Sequence, residues 1–288
     1  MLLDAGRARM VVDLEQGGRI ASLVVDGREL LVTSGFGSFG WGSFPMAPFA
    51  GRLRDARLEF GGRTYELPAN EPPHALHGFA FERPWQLVDG EPSTITCELG
   101  PPWPFRGRVR QRFELAADRL DVAMELEADE PQPVVIGLHP WFRRHLVAGS
   151  GTEAPHDGAP LGGTLVLEVE PSAMYRLGPD GIPTGELVPP DPRPWDDCFI
   201  GLARPPVLRW PGALRLTVES TADHWVFYDE QVEGICVEPQ TGPPNGPNFA
   251  PRVVMPGDPL RIAMAWRWAP DHADVREADP EAESARPR

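Results

Sequence analysis

Cysteine, long apolar runs and positive charge are all scarce in this 288-residue chain, and each shortage removes a class of protein. Cys97, Cys198 and Cys236 lie far apart with no CxxC spacing, which argues against a disulfide framework and against a zinc site. No apolar stretch approaches the about 20 residues a membrane helix needs. The start, Met1-Leu2-Leu3-Asp4-Ala5-Gly6-Arg7, lacks the basic-then-apolar form of a signal peptide, so the cytoplasm is the expected location. With 27 Lys and Arg against 42 Asp and Glu, the net charge is -15. Nucleic acid and anionic membranes are therefore poor partners. Neither a glycine-rich nucleotide fingerprint nor a P-loop is present. No segment keeps a 3.6-residue apolar period over three turns.

What the chain has instead is proline (35), glycine (30) and two-residue alternation. Leu120, Val122, Met124 and Leu126 alternate with polar or small residues, as do Leu214, Leu216 and Val218, and again Ile262, Met264, Trp266 and Trp268. Such a pattern predicts half-buried strands. Further strands are expected at 8–14, 19–25, 54–60, 93–99, 108–115, 133–138, 164–170 and 224–228. Asp26-Gly27, Gly61-Gly62 and Asp180-Gly181 read as hairpin turns. Together these features predict an all-β sandwich or barrel of large antiparallel sheets. One domain is expected over residues 1–270, with a mobile loop at 147–163 and a disordered charged tail at 271–288.

Candidate chemistry gathers on a few residues. Glu238 ends the apolar run Gly234-Ile235-Cys236-Val237, and a carboxylate at a strand end can project into a cleft. His139 follows the apolar run 133–138 and leads into Pro140-Trp141-Phe142. Flanking aromatics and partial burial could tune it near neutral pH. His77 precedes Gly78, which leaves room for a ligand near the backbone. One carboxylate and two imidazoles suffice for paired proton transfer without metal or cofactor. Read singly, each has a plainer explanation: His77 as a structural or exposed residue, His139 as a core histidine, Glu238 as a solvated carboxylate. His74-x-x-His77 could hold a metal on a helix, but Pro72-Pro73 disfavours one, and no metal is expected. Arg52 could fork to hydroxyls or lie on the surface. Asp196 and Asp197 would point to opposite faces of a strand, so one at most should enter a site.

The order of these pieces carries more than any one of them. Pro48-x-x-x-Arg52, Phe60-Gly61-Gly62 through Pro68-Ala69-Asn70, and Leu76-His77-Gly78-Phe79 with Trp85 resemble the N-terminal half of aldose 1-epimerases (mutarotases). His139-Pro140-Trp141-Phe142 is similar to their His-Pro-Tyr-Phe motif, Trp195-Asp196-Asp197-Cys198-Phe199 to their short Asp-containing strand, and Glu238-Pro239-Gln240 to their Glu-Pro-Gln segment. The resemblance spans about residues 10–268. It implies the β-supersandwich of the galactose-mutarotase-like fold, with Glu238 as general base, His139 as general acid, and His77, Arg52 and Asp196 on the sugar. Trp141 and Asn70 fall beside these motifs and are expected to bind substrate. Two departures bear on specificity: Gly51 stands where the family usually has Asn, and Trp141 where it has Tyr.

A small-molecule sugar, an aldohexose, is thus the expected partner, and the chain is expected to act as a monomer or homodimer. A hexose-6-phosphate 1-epimerase is the alternative, motivated by Arg52, Arg54, Arg83 and Arg143, although Pro140 weighs against it. A non-catalytic sugar-binding module on the same fold is another. A retaining glycosidase is more distant, because it would leave the histidines idle.

Overall fold

The structure, a computed structural model, describes residues 1–35, 37–150 and 161–271. Two large sheets dominate it. The first has eleven strands. Its middle order runs Arg28–Leu31, Gly137–Ala148, Gly234–Gln240, His224–Tyr228, Asp196–Leu202 and Pro171–Leu177, and Ser43–Met46 also pairs with Gly137–Ala148. The second sheet, of eight strands, centres on Gly107–Leu115, Arg119–Ala128, Leu260–Pro270 and Leu214–Ser220.

Alternation places the core between them. In the second sheet the register sets Leu120 against Trp266, Val122 against Met264 and Met124 against Ile262, all buried. Their polar neighbours face outward, as the period-2 pattern predicts. Phe142 of the first sheet meets Trp266 of the second edge-on, with ring centroids 4.9 Å apart. Trp210 carries its indole N–H across to the Arg143 carbonyl at 2.9 Å.

Several boundaries differ from the sequence expectation. Residues 54–56 form a 3₁₀ turn, with Asp55 and Ala56 in left-handed conformation, so the strand begins at Arg57. The run 133–138 splits into Gln132–Val134 and Gly137–Ala148. His139 and Glu238 therefore lie inside strands rather than at their ends. The strand expected at 164–170 shortens to Val166–Glu168. Of the expected loop 147–163, Val147 and Ala148 are strand, Leu161 and Gly163 bond back to Leu146 and Pro211, and 151–160 lie outside the described residues. At the expected tail, Asp271 is buried and pairs with Arg209 at 3.1 Å, while 272–288 lie outside the described residues. Asp26-Gly27 and Gly61-Gly62 do make tight hairpin turns with both residues at positive φ or Gly-permitted angles. Among the described residues, no helix is long and apolar enough to cross a membrane.

Candidate active site

Two central strands of the first sheet are buried on both faces, which is why they show no alternation. Leu138, Phe142, Ile235 and Val237 enter the inter-sheet core. The opposite parity, His139, Trp141, Cys236, Glu238 and Gln240, turns the other way. Gly137 opposes Gln240 and Trp141 opposes Cys236. That register leaves His139 directly across from Glu238. Their side chains meet, with His139 Nε2 3.1 Å from Glu238 Oε1. The row continues through Val226 to Cys198 on one side and to Phe44 on the other. A second row runs Trp141, Cys236, Tyr228, Asp196.

From these rows His139, Glu238, Val226, Cys198, Trp141, Tyr228 and Asp196 floor a cavity of about 190 Å³. Its other wall comes from the segment around Gly51, Arg52, Leu76 and His77. Arg52 and Leu76 pair in a two-residue ladder. The Gly51 N–H donates to His77 Nδ1 at 3.3 Å, and the His77 N–H donates to the Gly51 carbonyl at 3.0 Å. An accepting Nδ1 leaves the proton of neutral His77 on Nε2. His77 itself has φ 59° and Gly78 φ 74°. A Cβ on Gly78 would stand 2.2 Å from the Ala47 carbonyl oxygen, so only glycine lets this turn press against the strand below. The His77 ring sits edge-on to His139 at 4.8 Å.

Behind His139 lies an aromatic stack. Phe44 packs parallel to its ring at 4.4 Å. On Phe44 and Trp41 rests the guanidinium of buried Arg19, 5.3 and 4.2 Å from the ring centroids. Burial, and then the Arg19 charge, pushes His139 down to about 3. The expected tuning of this imidazole near neutrality is not what the unliganded site does, because full desolvation outweighs its partners. Burial likewise holds His77 well below 6.5, with His139 and Arg52 adding to the effect. Glu238 is held well above 4.5, first by burial and then by the Asp196 carboxylate, against the opposing pull of Gln240 and Arg52.

These shifts predict a stability profile. The two histidines stay neutral when folded but protonate below about 6.5 when unfolded, so their contribution is present above that pH. It is lost as pH falls below 6.5, in the case of His139 on the way to about 3. Glu238, with its folded pKa raised, contributes the opposite way: its share is full below 4.5 and is lost as pH rises through its folded value. The expected result is a melting temperature that falls on acidification below about 6.5, with a shallower acid slope in His77→Asn. Equal slopes in wild type and variant would remove His77 from the account.

Of the residues named from sequence, Arg52, His77, His139, Trp141, Asp196 and Glu238 all border this cavity. Arg52 Nη1 lies 3.3 Å from Asp196 Oδ2, both partly exposed at the rim. The strand alternation sets Asp196 opposite Tyr228 and Asp197 opposite Phe227, yet both aspartates border the cavity, where one was expected. Burial pushes Asp197 up to about 6. Trp141 spends its indole N–H on the Phe39 carbonyl at 2.6 Å, so only its ring faces the space. Asn70 is absent from the wall. Its amide clamps the Leu76 backbone, accepting from N–H at 2.7 Å and donating to the carbonyl at 3.1 Å. Asn70→Ala is expected to cost about 1–3 kcal/mol of stability for the two lost bonds, read by urea unfolding. Unchanged stability with lost sugar affinity would return Asn70 to the ligand.

His74 Nδ1 accepts from the Asp55 N–H at 3.0 Å and His77 Nδ1 from the Gly51 N–H, so each ring is tied to backbone on that side. Sequence reasoning assigned no role to Gln240 or Tyr228. Gln240 donates to Glu238 Oε2 at 3.3 Å, and the Tyr228 ring meets Trp141 edge-on at 5.7 Å. The alternation of His224–Tyr228 against Glu238 was the available signal for Tyr228.

The sequence and the fold have known counterparts. The sequence matches the aldose 1-epimerase family over residues 1–265, and the chain belongs to that family. A curated relative, the uncharacterised protein YphB of Escherichia coli K12, is 34% identical over 104 residues, spanning 34% of this chain and 36% of that protein. The fold is similar to that of a candidate aldose 1-epimerase from Escherichia coli K12, with TM-score 0.77 at 21% identity over 93% of this chain and 98% of the other. It is similar as well to galactose 1-epimerase from Lactobacillus acidophilus, with TM-score 0.73 at 17% identity over 94% of each chain. The architecture is the galactose-mutarotase-like sandwich.

Proposed function

We propose that the chain is an aldose 1-epimerase that interconverts the α and β anomers of a free aldose. The observation that carries this reading is the 3.1 Å contact between His139 and Glu238 on the floor of a sugar-sized cavity. Anomer exchange opens the C1–ring oxygen bond and recloses it on the other face of the carbonyl. One proton must leave the C1 hydroxyl and one must reach the ring oxygen. Both oxygens are bonded to C1, so acid and base must stand close together, as these two side chains do.

Neutral His139 and protonated Glu238 hold the same protons as imidazolium and carboxylate. A transfer across their contact converts one form into the other. Sugar hydroxyls and Arg52 beside the carboxylate favour the ionised form, in which Glu238 accepts the C1 proton and His139 protonates the ring oxygen. After rotation about C1–C2 the roles reverse, and the pair ends with the protons it began with. The His77 Nε2–H is oriented as a neutral donor to the developing oxygen charge. No hydride, phosphate or electron moves in this cycle.

An unphosphorylated sugar fits the wall better than a phosphate ester. Arg54 pairs with Asp180 at 2.6 Å, Arg83 donates to backbone carbonyls, and Arg143 donates to the Leu31 carbonyl at 2.7 Å. Arg52 alone of the four borders the cavity, in company with Glu71, Asp196, Asp197 and Glu238. Such an acidic lining repels a second anion.

The test is polarimetry or exchange NMR on freshly dissolved α-glucose and α-galactose with the intact protein. Accelerated equilibration is expected. Binding of free aldoses without acceleration would establish the non-catalytic module instead, and acceleration confined to sugar phosphates would establish the phosphate enzyme.

A further inference from the structure

We propose that His139, Cys236 and Glu238 also form a binding site for Zn²⁺, whose occupation closes the cavity to sugar. One nitrogen, one sulfur and one oxygen donor from these residues lie within 4.8 Å of one another, all three residues buried. Strand geometry brings them together. Cys236 and Glu238 are two apart on one strand and share a face, and His139 faces Glu238 from the next strand.

Zinc takes sulfur at about 2.3 Å, nitrogen at about 2.0–2.1 Å and carboxylate oxygen at about 2.0–2.2 Å in a tetrahedron. Three such donors need small side-chain movements to reach those lengths around one ion. His139 and Glu238 border the cavity, from which water could complete the shell, while Cys236 lies outside its lining. A second feature points to a polar guest at the same place. Gln240 is fully buried at 0% exposure, and its Oε1 has no hydrogen-bond partner although it borders the cavity. That oxygen is available to a zinc-bound water.

The donor set of thiolate, imidazole and carboxylate selects Zn²⁺ over Mg²⁺ and Ca²⁺, which prefer all-oxygen shells. On binding, the Cys236 S–H bond and the Glu238 O–H bond break, Zn–S and Zn–O bonds form, and both protons pass to buffer while water ligands leave the ion. Nothing is oxidised or reduced. Zinc held there occupies Glu238 and His139, so it excludes the sugar from the same atoms. This inhibitory consequence rests on the proposed function; the binding does not.

The experiment is a competition titration of the full chain, without sugar, against a chromogenic zinc chelator. One equivalent of Zn²⁺ should be withdrawn from the chelator, with no response to Mg²⁺. Cys236→Ser should weaken this by about tenfold or more, since even outer-shell partners cost 10–100-fold. Cys198→Ser should leave it unchanged. If Cys236→Ser fails to fold, Cys236→Ala and Glu238→Gln each remove one donor and should show the same loss. Absence of a stoichiometric site, or equal affinity in the Cys236 variant, overturns the proposal whether or not the chain accelerates anomer exchange. In the activity arm, zinc inhibition should rise in concentration requirement by the same factor in the Cys236 variant and be relieved by sugar.

Discussion

Glu238→Gln is expected to lower kcat for anomer exchange by about 10²–10⁴-fold, and His139→Asn by a similar factor. Glutamine keeps the shape and the bond to Gln240 but cannot receive the C1 proton. Because the two groups trade protons across one contact, the double variant should lose little beyond the worse single variant. Multiplying losses would mean that they act independently, and unchanged rates in either single variant would end the role assignment. The same substitution should raise the melting temperature above neutral pH. Burial opposes ionisation of Glu238, a cost that grows once the unfolded carboxylate ionises freely and that glutamine does not bear. Activity lost while stability rises is the expected signature of a residue kept for chemistry.

The second large effect concerns Gly51, where the family resemblance leads one to expect Asn. Gly51 has φ 68°, an angle that asparagine tolerates better than most residues. A Cβ there would stand 2.6 Å from both Cβ and Cγ of Pro244. The pyrrolidine ring cannot swing aside. Gly51→Asn is therefore expected to destabilise by about 1–3 kcal/mol through overpacking, measured by urea unfolding. It should also displace Arg52 and weaken sugar binding. Pairing it with Pro244→Ala should recover most of the stability. A stable single variant with tighter sugar binding would show instead that the glycine is a simple deletion of a ligand contact.

How far the sequence reached depends on the environment of each strand. Arg119–Ala128 and Leu260–Pro270 have one wet face, and their alternation announced them. Gly137–Phe142 and Gly234–Gln240 are dry on both faces, so their apolar runs carried no parity and their ends were placed wrongly. Pro140 lies within the strand, paired opposite Ser43. The two-residue ladder of Arg52 and Leu76 is too short for any periodicity. Most of the site was legible because its residues sit in distinctive local motifs. Asn70 lies off the cavity wall, and its complementarity to the Leu76 backbone is invisible in sequence until the loop is closed. The depth of burial, which drives His139 down to about 3, is a property of packing from three directions and has no local signature.

Glu238 and His139 share one rung of a continuous ladder, whereas Gly51, Arg52 and His77 belong to a separate segment with its own two-residue ladder. The spacing of that pair is consequently set by the sheet and not by the segment opposite. Under the proposed function, substitutions in that segment are expected to alter sugar preference while the His139–Glu238 pair stays in register.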